Sequence, residues 1–229
     1  MPSPLALLDA EIVACTRCPR LVEYREKIAR EKRRAYRDQE YWGKPVPGFG
    51  DPHARVLILG LAPGAHGSNR TGRMFTGDGS GYFLYPVLHQ AGFASQAESR
   101  RRHDGLTLRD AYITAMARCA PPANKPTPQE LVNCAPFLDR ELECLKKVRV
   151  VVALGKIAFD GYLRYLKRRG VLTTARGFVF GHGARYTLPD GKILLASYHP
   201  SMQNTNTGKL TRAMLLGIFR TAKRLAAAL

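Results

Sequence analysis

Arg55-Val-Leu-Ile-Leu-Gly60 runs without a break into Leu61-Ala-Pro-Gly-Ala-His-Gly-Ser-Asn-Arg70. Val56 to Leu59 form an unbroken apolar, partly β-branched run, the pattern of a strand covered on both faces. The ten residues that follow carry Pro63, Gly64 and Gly67 and cannot hold a helix. A doubly covered strand opening into an irregular small-residue loop is the α/β pattern, in which ligands bind beyond the carboxyl ends of parallel strands.

Working outward, Ala111 to Ala117 and Val148 to Leu154 predict two further strands, alternating with helices over Gln129–Lys146 and Lys156–Arg169. Tyr186-Thr-Leu-Pro-Asp-Gly-Lys-Ile-Leu-Leu-Ala-Ser197 reads as a strand, a Pro-Asp-Gly turn and a last strand, and Leu210 to Ala228 as a closing helix. Upstream, Leu21 to Asp38 is charged, free of Gly and Pro, and reads as a surface helix ended by Tyr41-Trp-Gly-Lys-Pro-Val-Pro-Gly-Phe-Gly50. The expectation is an α/β fold around a central, largely parallel sheet. The loops after Gly60, Ala117 and Ser197 should converge on a crevice.

Four cysteines form two distant pairs: Cys15 and Cys18, two residues apart, and Cys119 and Cys134 beyond the middle. The first spacing lets neighbouring thiolates bind one centre, and the second pair can complete a four-thiolate shell for zinc or an iron–sulfur cluster. Spacing does not choose between those metals. A redox pair or independent core thiols are the competing readings. Cys144, beside Leu142 and Leu145 on a predicted helix, reads as a core or spare thiol.

With 229 residues, 45% of them hydrophobic, one core is affordable, and no linker divides the chain. The expectation is therefore a single domain over residues 1–229, onto which residues 1–40 are stapled by the metal. Residues 1–12 lack a basic leader and no run is apolar enough to span a bilayer, so a cytoplasmic protein with no membrane partner is expected. Thirty-six Lys and Arg against 18 Asp and Glu leave a net charge of +18. That excess, clustered in Arg30–Arg37, Arg100–His103 and Lys167–Arg169, points to a polyanion, best a nucleic acid.

Two kinds of chemistry are excluded by what the loops lack. There is no G-x-x-x-x-G-K-S/T and no G-x-G-x-x-G, which removes the usual phosphate cradles. There is also no His-x-Glu with Pro-Cys-x-x-Cys, as a zinc deaminase needs. Phe75, flanked by Gly72 and Gly77, offers a flat face for a base. His199, directly after a buried-type strand, can donate into the crevice, whereas His66 is ambiguous.

Taken together, residues 60–78, Arg118-Cys-Ala-Pro-Pro-Ala-Asn-Lys-Pro-Thr-Pro128 and Ser197-Tyr-His-Pro-Ser-Met-Gln-Asn204 resemble the uracil-DNA glycosylase superfamily, in particular its family five, the B type. The resemblance covers nearly the whole chain. It implies a three-layer α/β/α sandwich with a four-stranded sheet, and a 4Fe–4S cluster on Cys15, Cys18, Cys119 and Cys134. It implies a monomer acting on double- or single-stranded DNA, nucleoid-associated, that flips a deaminated base out of the helix and hydrolyses its N-glycosidic bond. By motif position Phe75 stacks on the base within a pocket built by Ala62, Gly64, His66 and Ala115. His199 is then the donor to the pyrimidine O2, with Asp78, Asn124 and Asn204 as further candidates for placing water or base.

Two positions depart from the wider superfamily. Leu61 and Ala62 stand where many relatives carry Asp, Asn or Glu, and Ala115 stands where A-type relatives carry the uracil-reading Asn. Both departures are typical of the B type and imply a roomier pocket, admitting hypoxanthine and xanthine as well as uracil. A non-catalytic, metal-stapled nucleic-acid-binding module is the reading from another class.

Overall fold

A computed structural model describes residues 2–228. Six strands, β1 (Phe49–Gly50), β2 (Val56–Gly60), β3 (Ala111–Ala115), β4 (Val150–Leu154), β5 (Arg185–Thr187) and β6 (Ile193–Ser197), form one sheet in the order β1-β3-β2-β4-β6-β5. The inner four are parallel and the two edges antiparallel. The expected four-stranded sheet is thus corrected to six. The parallel centre has four strands as expected, but β1 is two residues long and carries no periodic signal, and β5 is the short first arm of the Pro-Asp-Gly hairpin.

Every residue of the four inner strands is buried, as both-face coverage requires. Alternation along the strand sorts the side chains. Ile58 and Val152 face one layer, where Leu84 and Leu88 of α4 (Gly79–Gln90) meet Leu215 and Phe219 of α8 (Arg212–Ala228). Leu57, Leu59 and Val151 face the other, against Leu138 of α5 (Pro128–Cys144) and Phe159 and Tyr162 of α6 (Lys156–Arg168). The result is the α/β/α sandwich.

Helix α1 (Pro4–Val13) packs Leu8 and Ile12 against Phe137 of α5, so an apolar contact already holds the amino-terminal segment. Helix α2 (Pro19–Glu31) ends short of the expected Asp38. Lys32 turns left-handed (φ 51°), and the amide of Arg33 is taken by the Tyr41 hydroxyl at 3.3 Å instead of continuing the helix. Helix α4 was not among the expected helices, and Gly79, Gly81 and Pro86 are poor helix formers. Asp78 caps it by accepting from the Gly81 amide at 3.0 Å, and a Cβ on Gly81 would sit 1.9 Å from the Phe75 carbonyl oxygen. Two short helices, α3 (Ser68–Thr71) and α7 (Met202–Asn206), lie within the functional loops; α3, a single turn that starts just past Gly67, corrects the expectation that residues 61–70 hold no helix.

Candidate active site

Chain segments beyond the carboxyl ends of β2, β4 and β6 meet around a pocket of about 280 Å³ lined by Leu61, Leu154, Gly155, Phe180, Tyr198 and His199, with Asn204 and Lys209 at its side. The segment after β4 was not among the loops expected to converge, and the loop after Ala117, which was, contributes no residue to this lining. It brings Gly155, whose positive φ of 95° and a Cβ position only 3.3 Å from His199 Cβ suit glycine at this crossing.

The first loop is rigid because its polar side chains are buried and bonded. Arg73, 3% exposed, forms a two-pronged pair with Asp104 at 2.8 Å and reaches Thr76 at 2.9 Å. Arg70 spans the loop from the His66 carbonyl (2.8 Å) to the Gly77 carbonyl (2.6 Å). Held between them, Phe75 adopts φ 51°, a strained conformation for an aromatic residue and of the kind that collects at ligand sites. Its ring lies against Gly60, where a Cβ would be 3.0 Å away, and its centroid is 5.8 Å from that of His199.

His199 presents part of its ring to the pocket while protein surrounds the rest. Burial pushes its pKa down to about 4, since desolvation penalises the imidazolium. The ring is therefore neutral near pH 7 and can donate one N–H. Asn204, on α7, donates from Nδ2 to the His199 carbonyl at 2.9 Å, which makes it a clamp on the His199 backbone. Ser201 caps α7 and holds the loop's turn.

Asp78 faces the first loop across two glycines. A Cβ on Gly67 would lie 1.9 Å from its Oδ2, and one on Gly64 2.8 Å. Burial raises the Asp78 pKa, opposed by hydrogen bonds from the Gly81 and Ser80 backbone and by Arg70. Ala115 ends β3 opposite Gly60 and is buried in the same apolar cluster as Phe75. Ala62 follows in the half-buried start of the loop.

Of the residues expected at the site, His199 and Asn204 line this pocket, whereas Phe75, Ala62, Gly64, His66, Asp78, Ala115 and Asn124 do not. The ring of His66 shares a hydrogen bond with the Tyr41 hydroxyl at 3.0 Å, and burial together with Arg33 and Arg70 lowers its pKa. Asn124 is exposed at the end of a short 3-10 turn with φ 56°, a left-handed conformation that Asn tolerates. Among residues that sequence reading missed, Gly155 could have been found from the strand-end rule applied to β4. His182, between Gly181 and Gly183, carried no motif signal.

The four cysteines are all free thiols. Cys15 lies between α1 and α2, Cys18 precedes α2 at its cap, Cys119 follows β3, and Cys134 is on α5. Cys119 feels the charges of Cys134 and Cys15, and Cys134 those of Cys18 and Cys15, so the set shares one electrostatic neighbourhood. Burial pushes the Cys119 thiol up to about 12, with Arg25 pulling the other way. Arg25, 4% exposed, donates to Cys119 Sγ at 3.0 Å and to the Cys15 carbonyl at 3.2 Å. Among the described residues no group of three or more His, Cys, Asp or Glu is gathered tightly enough for a single metal ion.

Residues 47–223 match the family described as the uracil DNA glycosylase superfamily. The chain is 57% identical over 215 residues to a type-5 uracil-DNA glycosylase of Thermus thermophilus, covering 94% of this chain and 95% of the relative. A type-5 uracil-DNA glycosylase of Mycobacterium leprae is 52% identical over 220 residues, covering 96% and 94%. One of Pyrobaculum aerophilum is 46% identical over 211 residues, covering 92% and 88%.

Proposed function

The chain belongs to the uracil DNA glycosylase superfamily, and we propose from its site that it is a uracil-DNA glycosylase of the type-5 kind, which cleaves the N-glycosidic bond of a flipped-out deaminated base in DNA. Water adds to the sugar carbon as the C–N bond breaks, the base leaves with that electron pair and takes up the water's proton, and an abasic site remains. The observation that carries this reading is the apposition of a strained aromatic ring, Phe75, and a neutral imidazole, His199, the latter in the pocket lining.

Each residue then has a task. Phe75 stacks on the extruded base, an interaction that tolerates any base because each has a π face. Negative charge grows on the pyrimidine as the bond breaks, so a donor from His199 toward O2 stabilises the transition state more than the bound substrate. A neutral imidazole suffices, because it keeps one N–H to donate and avoids the desolvation cost of burying an imidazolium. Asp78, desolvated and pressed against Gly64 and Gly67, orients the attacking water. Asn204 keeps the His199 backbone in place.

We extend the substrate range to hypoxanthine and xanthine. What supports this is the buried methyl of Ala115 at the end of β3. No amide there enforces a pyrimidine edge. A 4Fe–4S cluster on Cys15, Cys18, Cys119 and Cys134 is part of the same proposal. Four free thiols in one neighbourhood suit it, as does Arg25, a buried cation against Cys119 that offsets anionic thiolates. When bound, the cluster supplies a structural cross-link and takes no part in the hydrolysis. The net charge of +18 supports DNA, chromosomal DNA of the nucleoid included, as the polyanionic partner.

The test uses duplexes with one uracil, hypoxanthine or xanthine, and scores alkali-labile sites. Release of all three by the native protein, with His199→Ala slowed roughly 10²–10³-fold on uracil, is the expected result. Release of uracil alone would overturn the breadth argument. No release by folded, iron-containing protein would return the binding-module reading. Iron and acid-labile sulfide analysis tests the cluster separately, and a preparation that holds zinc instead would reject it.

A further inference from the structure

The antiparallel pairing of β5 with β6 continues past its last regular rung. Arg185 pairs with Leu195, the Ala196 amide donates to the Ala184 carbonyl and the Gly183 amide to the Ala196 carbonyl, each at 2.9 Å. Gly183 and Ala184 thus share Ala196 as a bulge, and the Ala184 amide turns back to the Gly181 carbonyl at 3.0 Å, so the register slips and His182 sits in a turn beside the end of β6. There the ladder changes character: the Tyr198 amide donates to a side chain, His182 Nδ1, at 3.2 Å. The Ser197 hydroxyl lies 3.4 Å from the same nitrogen and donates to the Tyr198 carbonyl at 3.0 Å. A backbone amide can only donate, so Nδ1 must be the acceptor and the ring proton must sit on the other nitrogen.

The imidazole also packs on the Tyr198 ring, with centroids 5.2 Å apart. On the opposite side of β6, the Ser197 carbonyl accepts from the Gly155 amide at 2.8 Å. The last strand is thus held from both sides up to the residue immediately before His199. Tyr198 in turn lines the pocket.

We infer that His182 is a positioning residue for glycosidic-bond cleavage, its Nδ1 replacing the missing backbone acceptor and thereby setting the direction in which His199 leaves β6. This rests on the reading of His199 as the transition-state donor. A small misplacement of such a donor costs catalysis more than binding, because the donor acts on charge that appears only as the bond breaks.

The experiment measures single-turnover uracil release and duplex binding by the full-length protein carrying His182→Ala, His182→Asn, His199→Ala or both alanines. Asn is included because its Oδ1 can accept the Tyr198 amide in place of Nδ1. His182→Ala should slow release by on the order of 10- to 10²-fold and leave the Kd for DNA within about twofold. His182→Asn should recover most of the rate, and His182→Ala should add little in the His199→Ala background. Equal loss in the Ala and Asn variants, a loss confined to binding, an unchanged rate, or full additivity with His199→Ala would each overturn the inference. If His182→Ala fails to fold, a normal rate in folded His182→Phe, which has no acceptor, would overturn it and a slowed one would uphold it. Unchanged release by His199→Ala would instead overturn the reading of His199 itself.

Discussion

The Phe75 ring centroid lies 5.8 Å from that of His199, with the two planes inclined by 34°. One ring comes from the loop after β2 and the other from the end of β6, so two parallel strands separated only by β4 aim them at the same place. A flat base could rest against Phe75 with its polar edge toward His199.

Truncating the aromatic partner should weaken capture of the base without altering the proton chemistry. Phe75→Ala is expected to lose on the order of 1–3 kcal/mol in binding of uracil-containing DNA. Competition binding against an undamaged duplex of the same length checks this, because loss on both duplexes alike would indicate a general folding defect.

The depressed pKa of His199 sets the acid side of the activity profile. Its value of about 4 lies below the ordinary histidine range, so the ring stays neutral as pH falls through 6.5 and takes up a proton only near 4. Uracil release should therefore show no histidine limb between pH 5 and pH 8 attributable to this residue. A kcat/KM profile that breaks near pH 6.5 in the native protein, and not in His199→Ala, would count against this assignment.

Gly67→Ala should be far more harmful than its chemistry suggests. The new methyl would meet the Asp78 carboxylate, with Oδ2 at 1.9 Å and Cγ at 2.5 Å, and displace the group that faces the loop. We expect at least about a tenfold fall in rate with the circular dichroism spectrum unchanged. Gly217→Ala on α8, where nothing lies within 4 Å, serves as the neutral control.

Asp9 offers a stability test of opposite sign. Burial is the main cause that raises its pKa to about 6, with Glu141 adding to the shift, and its Oδ1 has no hydrogen-bond partner. A raised folded-state value means that the carboxylate opposes folding increasingly as pH climbs from about 4 to about 6, and constantly above. Asp9→Asn should thus raise Tm at pH 7.5 and change it little at pH 4. Equal shifts at both values would show that charge is not the cause.

The wholly buried pair of Arg118 and Glu141 joins the segment before Cys119 to α5, with contacts at 2.6 and 3.1 Å and further bonds to Thr114 and Tyr112. Removing one partner leaves a bare charge in the core. Glu141→Ala should cost roughly 3–5 kcal/mol, measured by urea unfolding. Less than about 1 kcal/mol would mean that water reaches the pair.

The sequence by itself determined the parts that follow from local pattern: the buried strands around Ile58, Ile113 and Val152, the alternating helices, the hairpin at Pro189-Asp-Gly191, and the loops that begin at Leu61 and Tyr198. Hydrophobic runs and turn residues act over a few positions, so they can be read in order along the chain. Helix α4 could not be read that way. Gly81 is dictated by the close approach of the Phe75 carbonyl and Gly79 by the Met202 side chain, contacts made only after the loops have folded back. The position of Phe75 beside His199, the clamp from Asn204, and the side-chain rung from His182 to Tyr198 were likewise decided by the tertiary structure. Each joins residues whose separation in sequence carries no period. The parallel packing of β2, β4 and β6 brings Phe75 beside His199, and the pairing of β5 with β6 brings His182 to Tyr198.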